Sequence, residues 1–474
     1  MNKYKKLATD TCLFVISNFA SKLLIFLLLP LYTNLLNTDE YAVADLITTT
    51  INLIFPILTL SIAEATLRFA FDKNVKRNEV LSIAIVFLII STMLVIVSKS
   101  FIGGISETIK IYWWDFCICY FVTALQNILS YYARGCDKTK VFAISGIVHS
   151  VVLVSCNILF LVVFKLGLDG YLLSMIISYV ASSSFILFGA GFYKELILFK
   201  INKSLMREML KYSIPMIPTI IAWWVMQTSD KYMIIWKLGL NQSGIYSVAY
   251  KIPTILTVVS SLFTQAWQIS AISNYKEKDN SDFVGNVYGF FNMISVLACA
   301  MLILLSKILG RVLFAKDYFI AWKCVPILLI AYVFSGLSGF LASNFTSAKK
   351  TNILFVSTSI GAIVNAVLNL FLIVRVGIIG AAYTTFIGFF VTWFIRLVVS
   401  QKLIKIEISY VKHILMYFIL FIDAVYMYNE CYGYYIMAWV TIIVLLILNK
   451  KEIKKVGSIF VDMLKRKVKK CKED

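Results

Sequence analysis

Two parts of this chain repeat each other. Lys138-Thr139 is followed by Asn157, and Lys350-Thr351 is followed at the same spacing by Asn369. Each Asn leads through an apolar stretch into a Gly-x-x-Gly turn, Gly167/Gly170 in one copy and Gly377/Gly380 in the other. A further pair of segments, LNTDEYAVAD (Leu36 to Asp45) and LNQSGIYSVAY (Leu240 to Tyr250), matches at nearly the same offset with one gap. Such duplication limits the fold sharply, because period and copy number decide the architecture. Duplicated helical bundles with a site between the halves are a common plan for transporters.

The residues between these motifs suit lipid. Apolar residues make up 60% of the chain and charged ones 15%, with a mean hydropathy of +0.85. A soluble domain averages about 45–50% apolar and about 25% charged. Apolar runs of about 20 residues, enough to cross a bilayer, recur from Thr11 to Asn449. No stretch between them is long enough for a soluble core. The Met1 to Pro30 region starts basic, but its apolar run is too long for a signal peptide and no small-residue cleavage site follows, so it reads as a retained first span. The expectation is an all-α membrane protein of about fourteen spans, near 10–33, 41–62, 79–102, 111–133, 141–165, 168–192, 213–237, 244–268, 283–306, 321–342, 353–375, 380–400, 412–430 and 432–449.

Charge orients them. With the N-terminus inside, the cytoplasmic segments hold about 32 of the 45 Lys and Arg residues, a strong positive-inside bias. Both termini then lie in the cytoplasm. The net charge of +20 is membrane-surface charge, with anionic lipids as its partner rather than nucleic acid.

Spans 1–6 and 7–12 form the repeats. Six is even, so the copies share one orientation and are related by a pseudo-two-fold along the membrane normal. The expected organisation is an N-terminal lobe (1–193), an amphipathic interfacial linker (194–211), a C-terminal lobe (212–400), spans 13 and 14 (401–449) and a basic cytoplasmic tail (450–474). The tail places Ile453, Val456, Ile459, Phe460, Met463 and Leu464 at helical spacing among lysines. That pattern suits the inner leaflet; the alternative is a frayed basic tail.

No metal, cofactor or catalytic residue is expected. The nine cysteines are scattered. Cys117 and Cys119 diverge on a helix and have no His partners. His149 and His413 lack a second ligand at suitable spacing.

Ionisable groups at membrane depth are costly and point to function. Lys22 lies midway along span 1 with Asn18 and Ser21 on its face. Span 2 aligns Asp45, Thr48, Thr49, Asn52 and Thr59. Span 7 aligns Trp223, Gln227, Asp230 and Lys231. Span 8 carries Ser247, Lys251, Thr254, Ser261, Gln265 and Gln268. A polar stripe in lipid must face other helices or water. The alternative role for each is hydrogen bonding between packed helices. Pro56, Pro215, Pro218 and Pro253 offer places to bend. Glu64 and Arg68 stand at helical pairing distance. Arg396 is expected to snorkel to inner headgroups. Asp423 in span 13 is isolated, and the sequence gives it no role.

Several segments resemble the oligosaccharide flippases of the polysaccharide-transporter family. They are Leu210-Lys-Tyr-Ser-Ile-Pro-Met-Ile-Pro218, Ser229-Asp-Lys-Tyr-Met-Ile-Ile235 followed by Gly239, Gly244-Ile-Tyr246 and Ala249-Tyr-Lys251, and Asn369 through Gly377-x-x-Gly380-Ala-Ala382. Arg134-Gly135 near the end of span 4 is similar too. The resemblance implies the superfamily that also holds multidrug exporters and lipid II flippases. It implies two six-helix lobes around a central cavity. The implied substrate is an undecaprenyl-diphosphate-linked oligosaccharide moved from the inner to the outer leaflet, with polysaccharide polymerase machinery as a partner. Many members have twelve helices; a count of fourteen fits some members and leaves spans 13 and 14 unexplained.

The candidate cavity residues are Asn18, Lys22, Asp45, Asn52, Trp223, Gln227, Asp230, Lys231, Lys251 and Gln265. Lysines offset the charge of a diphosphate or acidic sugar in a poorly hydrated cavity, and aromatic and amide groups suit sugar rings. Two transport alternatives stay open, a multidrug or cation exporter of the same fold and a lipid II flippase. A cation exporter needs an excess of cavity carboxylates. A membrane polymerase or ligase needs a catalytic outer loop, and the outer loops here are short.

Overall fold

The computed structural model describes residues 26–72, 74–99, 107–195, 201–274, 281–348, 350, 352–403 and 409–454. Every regular element among them is helical. In chain order they are α1 (Leu29–Leu35), α2 (Thr38–Leu58), α3 (Ile62–Ala70), α4 (Arg77–Val97), α5 (Glu107–Ile111), α6 (Trp113–Gly135), α7 (Thr139–Asn157), α8 (Gly167–Gly189), α9 (Lys203–Ser213), α10 (Ile217–Leu238), α11 (Leu240–Ala249), α12 (Thr254–Asn274), α13 (Ser281–Leu313), α14 (Val325–Ser347), α15 (Asn352–Val376), α16 (Ile378–Gln401), α17 (Tyr410–Tyr428) and α18 (Tyr434–Leu448).

Among the described residues, eleven helical stretches are long and apolar enough to cross a membrane, and α11 with α12 makes a twelfth that is bent by 45°. Of the other expected spans, α18 has 15 residues, and residues 10–25 of span 1 lie outside the described residues. Pro253 sits in the break between α11 and α12, as its missing N–H and fixed φ require. Pro56 lies near the end of α2, and the chain then passes Leu60 and Ser61 at φ +51° and +53° before α3 begins. Pro218 starts α10 instead of interrupting it, because the first helical turn has no donor to lose.

The chain forms two compact units, Met1–Val248 with Leu313–Tyr318, and Ala249–Val312 with Phe319–Asp474. The packing boundary therefore falls after Val248, beyond the segment expected to link the lobes. That segment contains α9, whose Leu205 and Met209 are buried. It packs against α3 and α4.

The duplication is visible in packing. In the first unit α6 is the most enclosed long helix, with Phe116, Tyr120, Leu129 and Tyr132 sealed. In the second it is α14, with Leu328, Leu337, Phe340 and Leu341 sealed. These are spans 4 and 10, matching places in the repeat. Spans 5 and 11, formed by α7 and α15, are peripheral in their own units and expose Val151, Leu159 and Phe164, and Ile363, Val367 and Phe371. Apolar faces of this extent belong against lipid.

The repeated turn has one physical cause in both copies. Gly167 and Gly377 take positive φ, +55° and +71°, which L side chains resist. Gly170 and Gly380 let the next helix lie on the preceding one. A Cβ on Gly380 would sit 2.5 Å from the Leu372 carbonyl oxygen. Asn157 and Asn369 are fully buried at these helix ends. Asn369 Oδ1 accepts from the Thr384 hydroxyl at 2.5 Å. The copies differ after the Asn: Ile158–Val163 is π-helical, whereas α15 runs on unbroken.

Two electrostatic expectations are corrected. Arg396 does not reach the headgroups. It is 1% exposed and donates to Ser357 Oγ (2.9 Å), Thr358 Oγ1 (2.8 Å), Ser338 Oγ (3.0 Å) and the Ser338 carbonyl (3.0 Å). Hydroxyls from α14 and α15 supply what water would supply at the surface. Glu64 does not depend on Arg68; its carboxylate accepts from the Tyr131 hydroxyl at 2.9 Å.

Candidate functional site

The first unit brings two of the polar stripes together. Asn37 caps α2 through a reciprocal box with Glu40, at 2.8 and 2.9 Å. This fixes where α2 starts, and so the depth of Asp45. α10 runs antiparallel to α2. Lys231 Nζ on α10 lies 2.7 Å from Asp45 Oδ2, with the two side chains 12% and 14% exposed. Ser247 Oγ on α11 donates to the same oxygen at 2.8 Å. One carboxylate thus joins three helices.

A second carboxylate sits beside it. Asp230 is 1% exposed. It accepts from the Tyr246 hydroxyl at 2.8 Å and from the Lys231 backbone N–H at 3.0 Å. Asp230 and Lys231 each find a partner on another helix, because adjacent helical residues point apart.

Further contacts fasten α2 to α10 and α11. Asn241 Nδ2 donates to Thr38 Oγ1 at 2.6 Å, Trp224 Nε1 to the Thr49 carbonyl at 2.9 Å, and the Thr50 and Tyr232 hydroxyls share a 2.5 Å bond. Gly244 passes so close to the Thr38 carbonyl that a Cβ there would overlap it. Trp224 and Tyr246 are not among the candidate residues that the sequence pattern offers.

Other predicted site residues fall out as follows. Asn52 and Gln227 are exposed and Trp223 is half-buried. Along antiparallel α2 and α10, Asn52 and Gln227 both lie on the same side of the Asp45–Lys231 pair. The two stripes therefore run from accessible amides to a partly buried ion pair. Lys251 belongs to the second unit and is half-buried. It stands in the irregular stretch between α11 and α12, where its carbonyl accepts from the Thr254 hydroxyl at 2.6 Å. Irregular backbone at membrane depth is tolerated only inside protein or beside a cavity. Asn18 and Lys22 lie outside the described residues, as does the side chain of Gln265.

Chemically, Lys231 is a cation whose ammonium is met by the Asp45 carboxylate. Its gross attraction to Asp45 is about 6 kcal/mol at 2.7 Å with an effective dielectric of about 20. Desolvation opposes this by several kcal/mol per ion. The net contribution of the pair is therefore small beside its gross attraction.

This multi-pass helical architecture is shared with solved membrane transporters. A lipid II flippase, MurJ, in an inward closed conformation matches with a TM-score of 0.71 and 16% identity over 94% of this chain and 99% of that one. An inward-facing multidrug resistance MATE transporter matches at 0.68 and 14% identity, over 82% and 98%. A superfamily transporter from Pyrococcus furiosus gives 0.57 and 14%, over 84% and 93%. At such identities the likeness is one of fold. No curated protein matches the sequence. The family model described as polysaccharide biosynthesis protein matches residues 7–268, and the chain belongs to that family.

Proposed function

We propose that the protein is a flippase that carries an undecaprenyl-diphosphate-linked oligosaccharide across the cytoplasmic membrane for surface polysaccharide assembly. Membership of the polysaccharide biosynthesis family carries this reading. The orientation follows the lysine bias, with both termini in the cytoplasm.

The chemistry of the substrate supports the candidate residues. A diphosphate is a hard anion, and Lys22, Lys231 and Lys251 are the cations proposed to meet it. At Lys231 the phosphate replaces Asp45 as counter-ion, so binding costs one ion pair and gains another. That near-exchange suits transport, which needs release as much as capture. Asn18, Asn52, Trp223, Gln227 and Gln265 are proposed to contact sugar hydroxyls and ring faces. Asp45 and Asp230 hold the lysine and tyrosine donors in place. The polyprenyl tail stays in lipid while the head group crosses, and the two lobes alternate access around it.

The test is an inventory of lipid-linked sugars by mass spectrometry after deletion. One undecaprenyl-diphosphate oligosaccharide should accumulate and disappear when the gene is restored. Accumulation of lipid II would reassign the substrate. An unchanged lipid inventory with new sensitivity to cationic drugs would identify an exporter instead.

A further inference from the structure

In the second unit α13 and α17 run side by side in the same direction. Three contacts set their register. The Tyr288 and His413 rings lie 6.0 Å apart, and the Tyr417 hydroxyl donates to Asn292 Oδ1 at 2.8 Å. Lys307 Nζ bonds Glu430 Oε1 at 2.8 Å. The same register puts Asp423 level with Cys299. The register slips by only two residues from the first contact to the last, so the helices stay aligned over their shared length. Their seam carries a titratable group at each level.

Asp423 stands apart from the others. It is 1% exposed, and neither carboxylate oxygen has a hydrogen-bond partner. The Thr441 hydroxyl on α18, the helix packed against α17, is also buried and unpartnered. Among the groups that face this region, α13 contributes Cys299 and, about 12 Å farther along at a rise of roughly 1.5 Å per residue, Lys307, which Glu430 already neutralises. α14 and α18 contain no Asp, Glu, Lys, Arg or His; their titratable side chains are Tyr332, Tyr434 and Tyr435. α16, whose Tyr383 ring lies 6.4 Å from that of Phe421 on α17, adds Tyr383 and Arg396, the latter held by Ser338, Ser357 and Thr358. On α17 itself His413 and Lys412 lie near the opposite end.

A carboxylate anion without a donor or a cation is very costly here. One proton removes the charge and converts an oxygen into a donor. A metal ion would need several oxygen ligands, and no group of three His, Cys, Asp or Glu residues able to hold one occurs among the described residues.

We infer that Asp423 is a proton-binding site, separate from the Asp45–Lys231 pair, and that loading and unloading it couples proton movement to transport. This rests on the reading of the protein as a transporter. The step is simple: the carboxylate takes one proton and becomes the neutral acid, and nothing else is transferred. Ionisation requires α13, α17 and α18 to separate enough to admit water, so the proton and the packing of this seam are linked. The two C-terminal helices, which fall outside the sequence repeat, thereby acquire a task.

The test uses the purified full-length protein and infrared difference spectra between acid and alkaline pH. The wild type should show the C=O band of a buried carboxylic acid at neutral pH. Asp423→Asn should lose that band while keeping its fold, since the amide has the shape of the neutral acid, and Asp423→Glu should shift it. In proteoliposomes carrying lipid-linked oligosaccharide, an imposed pH gradient should change the wild-type flipping rate and leave Asp423→Asn indifferent. Absence of the band overturns the site. A band that vanishes in Asp423→Asn while the gradient response persists overturns the coupling. The infrared result stands whether or not the sugar lipid is the substrate, so failure of the proposed function is distinguishable from failure of this site.

Discussion

Asp45 and Lys231 should be energetically coupled, and a double-mutant cycle measures how strongly. The pair is 2.7 Å long and about seven-eighths enclosed, so it is neither a solvent-screened surface bridge worth about 0–1 kcal/mol nor a fully sealed one. Removing one partner of a buried pair costs about 3–5 kcal/mol because the other charge is stranded. Partial access to water lowers that, and Ser247 still serves Asp45 when Lys231 is gone. Lys231→Gln and Asp45→Asn should each cost about 2–3 kcal/mol, at the lower edge of that range. The double variant should cost about 1–3 kcal/mol less than their sum, as contacting residues do. Denaturant titration of detergent-purified protein gives the three values. Additivity within about 0.5 kcal/mol would show that the pair does not fasten α2 to α10, and the exchange of Asp45 for phosphate would lose its basis.

Four other outcomes are expected. Gly244→Ala should push α11 off the Thr38 carbonyl and lower the melting temperature, with an overpacking cost of about 1–3 kcal/mol; an unchanged melt contradicts the close approach. Arg396→Lys should destabilise nearly as much as Arg396→Leu, because an ammonium cannot span Ser338, Ser357 and Thr358 as the planar fork does. Export of surface polysaccharide should fall from Lys251 to Lys251→Gln to Lys251→Glu at constant protein abundance, and wild-type export by Lys251→Glu would remove Lys251 from the site. A cysteine at Lys203 should resist an impermeant thiol reagent in intact cells, and ready labelling there would invert the topology.

Much of the fold was legible because its signals are local. The apolar runs give the spans, and Gly167 and Gly377 mark turns that only positive φ permits. Pro253 marks the break in the eighth span. What was not legible depends on which helix arrives from elsewhere. Arg396 looks like a snorkelling residue until Ser338 of α14 is seen beside it. Helical spacing put Asp45 with Asn52 and Lys231 with Gln227, yet it could not say that one end of each stripe meets its partner while the other stays accessible. The π-helical turn after Asn157 has no counterpart after Asn369, though the two surroundings read alike in sequence. Asp423 was visible from the start as an isolated charge; only the register of α13 against α17 gave it neighbours.

Reconstituted flipping addresses the central claim most directly. Purified protein would be placed in liposomes containing an undecaprenyl-diphosphate oligosaccharide, with an impermeant sugar-oxidising reagent outside. Pools of lipid-linked sugar protected at the inner leaflet should become fully accessible, and the rate should drop in Lys231→Glu and Lys251→Glu. Protected sugar that stays protected, in vesicles shown to contain folded protein, would contradict the account.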